Sequence, residues 1–264
     1  MRTQAARVDW RGWLRRWDLQ QTRYLPHREE RFQVMFDIVE ACSPRKFRAL
    51  DVGCGPGSLS QRLLTRFSQA RSVAVDFDPV LLEIGKHALS RYSNRLVWVE
   101  ADIRRPDWTT RLPPGKFNVA LSTTALHWLR PSELRRAYRA IHDALRPNGL
   151  FLNGDHIRST QRPSRLGRVA HEAEQLYLSG ARRPKGAESW QTWWLRLEQE
   201  PGLEKLFEER EHRESTRRGL ASAAGHHSHV TLLPQHLQYL RQAGFREAGV
   251  LWSEFGNRVV AAIA

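Results

Sequence analysis

The stretch from Ala49 to Ser58, reading Ala-Leu-Asp-Val-Gly-Cys-Gly-Pro-Gly-Ser, constrains this chain more than any other. An apolar run ends at an acid, glycines follow at 53, 55 and 57, and a helical pattern begins at Ser58. Glycine lets a backbone turn sharply and approach a ligand that any Cβ would block. The dinucleotide fingerprint spaces its glycines G-x-G-x-x-G and sets a pyrophosphate on the next helix N-terminus. Here the spacing is G-x-G-x-G, with Asp51 two residues before the first glycine. A carboxylate there repels pyrophosphate and suits a ligand that carries an ammonium and a sulfonium.

The surroundings of this loop alternate in type. β-Rich runs at Phe47–Val52, Val73–Asp76, Leu96–Glu100, Phe117–Leu121 and Leu150–Asn153 are separated by helical patterns at Ser58–Phe67, Val80–Ser90 and Ser132–Leu145. Pro79 and Pro131 stand where first-turn prolines belong. Alternation of this kind predicts an α/β fold with a parallel sheet covered on both faces. A helix over Pro234–Ala243 and two further β-rich runs, Val250–Phe255 and Arg258–Ile263, predict a closing antiparallel hairpin at the sheet edge.

Two more acids sit at strand ends. Asp76 closes the second run, 23 residues beyond Gly53, where a carboxylate accepts hydrogen bonds from both hydroxyls of a ribose. Phe77 follows it and offers a face to adenine. Asp102, after the third run, is placed to accept from an exocyclic amine. Any one of these acids reads as a loop-end carboxylate or a helix cap. Three in this order do not.

These residues together resemble the class I S-adenosylmethionine-dependent methyltransferases, over residues 45–156 and the final 35. Asp51, Gly53, Cys54, Gly55 and Gly57 look like their cofactor loop, Asp76 like their ribose-binding acid, and Asp102-Ile103 like their adenine-binding pair. The stretch Phe117–Leu129, with Ser122 and His127 in it, resembles the fourth-strand region of the small-molecule branch that includes trans-aconitate methyltransferase. Leu145–Leu150 and Gln242–Phe245 resemble the turns before the fifth and sixth strands of that branch. The resemblance implies a Rossmann-like seven-stranded sheet of order 3-2-1-4-5-7-6, with strand 7 antiparallel. It also implies S-adenosylmethionine as cofactor and S-adenosylhomocysteine as product. On this reading residues 1–44 form a helical lid, 45–156 the cofactor-binding core, 157–229 a helical insertion that acts as acceptor lid, and 230–264 the end of the core.

Charge says less about the acceptor. The chain has 42 basic and 28 acidic residues, but only five of the former are lysines, and the arginines are spread along its whole length. That pattern reads as a basic surface before it reads as a nucleic-acid track. An anionic small acceptor would also be served by such a field. No Asn-Pro-Pro-Tyr motif follows the fourth run, no Pro-Cys pair occurs, and no paired-glutamate loop resembles the protein arginine methyltransferases. A small organic acceptor is therefore expected, with RNA or DNA as the alternative and cofactor binding without turnover as the third reading. No run of about 18 apolar residues predicts a membrane helix, and the N-terminus lacks the apolar region of a secretory signal. Cys42 and Cys54 cannot build a disulfide framework and fit a reducing cytoplasm.

Histidine is the usual base near neutral pH. His127 and His156 follow the fourth and fifth runs, at the edge where ligands of an open sheet bind, and are the candidate bases. His226, His227 and His229 read as polar loop histidines without a metal, although His227 and His229 reach the acceptor if their segment folds back. In the N-terminal segment Tyr24, Arg28 and Arg31 are placed to close over the cofactor carboxylate or grip an anionic acceptor. The tryptophan stripes at 10, 13 and 17 and at 190, 193 and 194 read first as core packing.

Overall fold

The structure is a computed structural model that describes residues 8–25, 27–159, 164–180, 185–220 and 231–264. Helices α1 (Trp10–Thr22) and α2 (Arg28–Cys42) precede β1 (Arg48–Val52). The chain then alternates through α3 (Ser58–Arg66), β2 (Arg71–Asp76), α4 (Pro79–Ala88), β3 (Leu96–Glu100), β4 (Phe117–Thr123), α5 (Pro131–Ala144) and β5 (Leu145–His156). Three helices follow, α6 (Arg165–Gly180), α7 (Trp190–Glu198) and α8 (Glu204–Leu220), before α9 (Leu233–Gln242) and the hairpin β6 (Glu247–Glu254) and β7 (Asn257–Ile263). The seven strands form one sheet of order β3-β2-β1-β4-β5-β7-β6. β1 to β5 run parallel, and β7 is antiparallel to both neighbours. This is the order the sequence resemblance implied.

Strand alternation decides which side chains reach which layer. In β5, Leu150 and Leu152 join Met35, Phe36 and Leu63 on one face, and Phe151 joins Tyr138, Ile141 and Leu240 on the other. β5 runs three residues beyond the expected Asn153, because Asp155 and His156 pair with Arg258 and Asn257 of β7. The same parity therefore puts Gly154 and His156 on the α2 side and Asp155 on the α5 side. Gly154 is needed there: a Cβ would stand 2.9 Å from Met35 Sδ and 3.0 Å from Arg31 Cδ.

The N-terminal helices and the insertion meet over the strand ends. Trp193 of α7 packs edge-on against Trp13 and Trp17 of α1, with ring centroids 5.8 and 5.0 Å apart. Trp13 and Trp193 are buried in the core, as the packing reading expected. α8 is tied to the end of β2: Arg210 Nε donates to Asp78 Oδ2 at 2.8 Å and Arg213 Nη1 to the Phe77 carbonyl at 2.9 Å. No helix among the described residues is long and apolar enough to cross a membrane.

Candidate active site

A cavity of about 460 Å³ opens at the carboxyl ends of β1, β2 and β4, beneath α1, α7 and α8. Its size lies in the range of small-ligand sites. Gly53, Cys54 and Gly55 line one side of it. Their loop is fastened to the neighbouring strand, because the Gly53 and Cys54 amides both donate to the Val75 carbonyl. Gly55 has φ +54°, and a Cβ on it would project to 3.6 Å from Trp17 and 3.9 Å from Leu81. Glycine thus keeps a cradle open at this point.

Asp76 faces the cavity and holds the loop at the same time. Its Oδ2 accepts from the Gly55 amide at 2.7 Å, and its Oδ1 from the Phe77 and Asp78 amides at 2.8 and 3.0 Å. Burial pushes this carboxyl up to about 6 despite those bonds. Phe77, Asp102 and Ile103 line the adjoining wall, so the structure brings the ribose and adenine candidates together. Asp102 is not bare: Arg104 Nε donates to it at 2.7 Å, and the same guanidinium lies 5.5 Å over the Phe77 ring.

Several candidates stand away from the cavity wall. Asp51 lies on the β1 face that packs on α3, where Ser60 donates to its Oδ2 through both amide and hydroxyl at 3.1 and 2.7 Å. Gly57, at φ +83°, backs onto Trp98, since its Cβ would sit 2.5 Å from that ring. Ser122 turns down into the sheet and donates to the Val52 carbonyl at 2.8 Å, and Thr123 and Thr124 meet the cavity in its place. Tyr24 accepts a hydrogen bond from the Trp190 amide at 2.9 Å and so pins the start of α7. His156 is carried by the β5 alternation to the α2 side, against Gly256 and 3.7 Å from Glu174. That placement removes it from the position of a base. His226, His227 and His229 lie outside the described residues.

Asp51 has a consequence for stability. Its Oδ1 is buried with no hydrogen-bond partner among the described residues, and burial pushes the carboxyl up to about 7. A carboxyl raised above its unfolded value favours the fold fully below that unfolded value, and the contribution is lost as pH rises through the folded one. Asp51 should therefore contribute a loss of stability between about pH 4 and 7, by up to about 1.4 kcal/mol for each pH unit over which only its folded carboxyl holds the proton. Asp51→Asn should flatten that slope in urea titrations run at several pH values. An unchanged slope in the variant would show that Asp51 is not its source.

At the α1 edge, Arg28 is buried and lines the cavity. Its Nη1 donates to Asp18 Oδ1 at 2.9 Å, and Ser58 and Arg62 donate to the same carboxylate. Arg28 Nε is buried and has no hydrogen-bond partner among the described residues. Arg31 is elsewhere. It is fully buried, and donates to Thr123 Oγ1 at 2.7 Å and Asn257 Oδ1 at 3.0 Å.

The β4 end carries the candidate base. Thr124 adopts φ +52°, a conformation that costs a β-branched residue on the order of 1–3 kcal/mol. His127 follows in a short 3-10 turn and lines the cavity beside Trp128. Its Nδ1 lies 2.9 Å from Asp155 Oδ1, and its amide donates to Asp155 Oδ2 at 3.3 Å. Asp155 is buried, yet the neighbouring His127 and Arg31 hold its carboxyl down at about 2. Burial alone would depress the His127 pKa, but the Asp155 carboxylate more than offsets this and raises it above the ordinary histidine value.

Sequence reasoning did not single out Asp18, Thr123, Thr124 or Arg210, nor give Asp155 a role beside His127. Trp17, Trp190 and Trp194 also line the cavity, where the stripes had read as core. One signal for Asp155 was present: an acid two residues past the apolar fifth run.

The donor set fits S-adenosylmethionine. Four carboxylates, Asp76, Asp78, Asp102 and Glu214, line the cavity against three guanidiniums, Arg28, Arg104 and Arg210, which suits a ligand with two cationic centres and one carboxylate. Residues 49–149 match a family described as a methyltransferase domain. The chain is 28% identical over 158 residues to a trans-aconitate 2-methyltransferase of Rhodopseudomonas palustris (strain BisB18), covering 59% of this chain and 53% of that one. It is 31% identical over 179 residues to a trans-aconitate 2-methyltransferase of Azoarcus sp. (strain BH72), covering 66% and 65%. The chain thus spans between half and two thirds of the length of these relatives. Its fold matches the S-adenosylmethionine-dependent methyltransferase SibL in its apo form with a TM-score of 0.53 at 19% identity, over 83% of this chain and 50% of that one. Residues 49–149 thus resemble a methyltransferase domain, and the sheet order is the one expected of the class I S-adenosylmethionine-dependent methyltransferases. Within that class the chain resembles the trans-aconitate methyltransferases.

Proposed function

We propose that this chain transfers the methyl group of S-adenosylmethionine to a small organic acceptor. The observation that carries the reading is one cavity, roofed by the chain's own helices, that holds the Gly55–Asp76 cradle and His127 together. When bound, S-adenosylmethionine supplies an electrophilic methyl on a sulfonium and leaves as the thioether S-adenosylhomocysteine. Asp76 takes the ribose hydroxyls, Asp102 and Ile103 the adenine, and Arg28 the cofactor carboxylate. Asp51, Gly57 and Ser122 support the loop from behind. Residues 1–44 and 157–229 serve as lids over the core formed by 45–156 and 230–264. Their Trp17, Trp190 and Trp194 exclude water from a displacement that mainly needs positioning.

A cavity covered by α1, α7 and α8 accommodates a small molecule better than a polynucleotide, and many surface arginines are already paired with acids, as Arg66 is with Asp37 and Glu40. The free thiols of Cys42 and Cys54 fit a cytoplasmic protein. Methyl-labelled S-adenosylmethionine offered with a small-metabolite fraction and, separately, with RNA tests the reading. Label should appear in small molecules. Label in RNA, together with sub-micromolar RNA binding that falls steeply with salt, would replace this function with the nucleic-acid one.

A further inference from the structure

Resting on the methyl-transfer reading, we infer that the acceptor is a flat, uncharged molecule bearing a hydroxyl group, that His127 Nε2 takes the hydroxyl proton, and that Asp155 positions His127. Two bonds from one carboxylate, to the His127 ring at 2.9 Å and to its amide at 3.3 Å, fix the imidazole. Because Asp155 accepts, Nδ1 carries the proton, and Nε2 is left with its lone pair when the ring is neutral. A carboxylate acceptor already has free lone pairs and gives such a pair no task. A hydroxyl does. The O–H bond breaks, the proton passes to Nε2, the oxygen keeps the electron pair with which it takes the methyl group, and the imidazolium returns the proton to water.

The cavity walls point to the same class. Each guanidinium that lines it already faces a carboxylate: Arg28 faces Asp18, Arg104 faces Asp102, and Arg210 faces Asp78 and Glu214. A polyanionic acceptor would have to break one of these pairs. Apolar surface is plentiful instead. Trp128 packs against His127 with ring centroids 4.8 Å apart, and Trp17 and Trp190 of the lid lie 5.5 Å from each other. Aromatic side chains in the lining of a cavity favour an aromatic ring in the ligand. The charged groups that bear on His127 are Asp155 from β5 and Arg31 from α2, and the first outweighs the second, which leaves His127 a stronger base than free histidine.

The experiment uses the full chain saturated with S-adenosylhomocysteine, probed with 7-hydroxy-4-methylcoumarin and, in parallel, with trans-aconitate. The coumarin hydroxyl and its anion absorb differently, so binding and proton loss are read without turnover. The expected result is that the coumarin binds and ionises about one pH unit or more below the free probe. In Asp155→Asn and in His127→Gln that shift should vanish while S-adenosylhomocysteine affinity stays within about threefold of the parent. NMR of the His127 ring should also show its titration midpoint fall in Asp155→Asn, as loss of the carboxylate beside Nδ1 requires. Binding of trans-aconitate in preference to the coumarin, or a shift that survives His127→Gln, would overturn the inference and leave methyl transfer standing. No binding of S-adenosylhomocysteine at all would remove both.

Discussion

Replacement of His127 by alanine should lower turnover about 10²–10⁴-fold and leave the affinity for S-adenosylhomocysteine nearly unchanged. The size follows from the loss of a positioned proton acceptor, and the selectivity from where His127 stands. It is at the β4 end against Trp128 and Asp155, whereas the cofactor candidates Gly55 and Asp102 sit on the loops after β1 and β3 and Asp76 ends β2. The pH dependence has a defined sign. Only the neutral ring accepts a proton, and Asp155 raises its pKa, so the rate should fall as pH drops, with the midpoint of the acid limb above 6.5. Asp155→Asn should move that limb to lower pH and cut turnover. Full activity of His127→Ala at neutral pH would leave positioning alone as the source of catalysis. Loss of turnover together with loss of cofactor binding would instead assign His127 to the cofactor.

Trp193→Ala should cost about 3–5 kcal/mol of folding stability, the range for removing a fully buried large aromatic. Trp193 has no exposed surface and meets Trp13, Trp17 and Trp194 edge to face. It therefore joins α1 to α7 rather than decorating either. Its Nε1 has no hydrogen-bond partner among the described residues, so its removal strands no acceptor there, and the cost is cavity and lost contact. Trp193→Phe keeps part of that volume and should cost clearly less. Urea unfolding followed by tryptophan fluorescence and by circular dichroism measures both. A loss below about 1 kcal/mol in the alanine variant would mean that the lid helices unfold apart from the sheet and do not share its cooperative core.

How far the sequence could lead is visible in particular residues. Strand–helix alternation gave the covered parallel sheet and the three strand-end acids the cofactor side, because both depend on local pattern, whereas the strand order came from the family resemblance. Asp51 shows where that stops. Its position before the glycines looked like a ligand contact, but β1 alternation turns it toward Ser60, and that depends on which face α3 covers. His156 has the same origin: the register of β5 with β7 places it, and no local signal encodes that register. The pairs that matter most are separated in sequence. His127 and Asp155 are 28 residues apart on two strand ends, and Asp18 and Arg28 belong to different helices. The tryptophan stripes were legible as helix faces, but not as being shared between core and cavity, since α1 meets α7 only in the folded chain.

The most direct measurement of the central claim is calorimetric titration of the full chain with S-adenosylhomocysteine and with NAD. The account predicts one S-adenosylhomocysteine site, no heat from NAD, and a loss of about 1.5–3 kcal/mol, roughly 10–100-fold in affinity, in Asp76→Ala. Binding of NAD without binding of S-adenosylhomocysteine would contradict it.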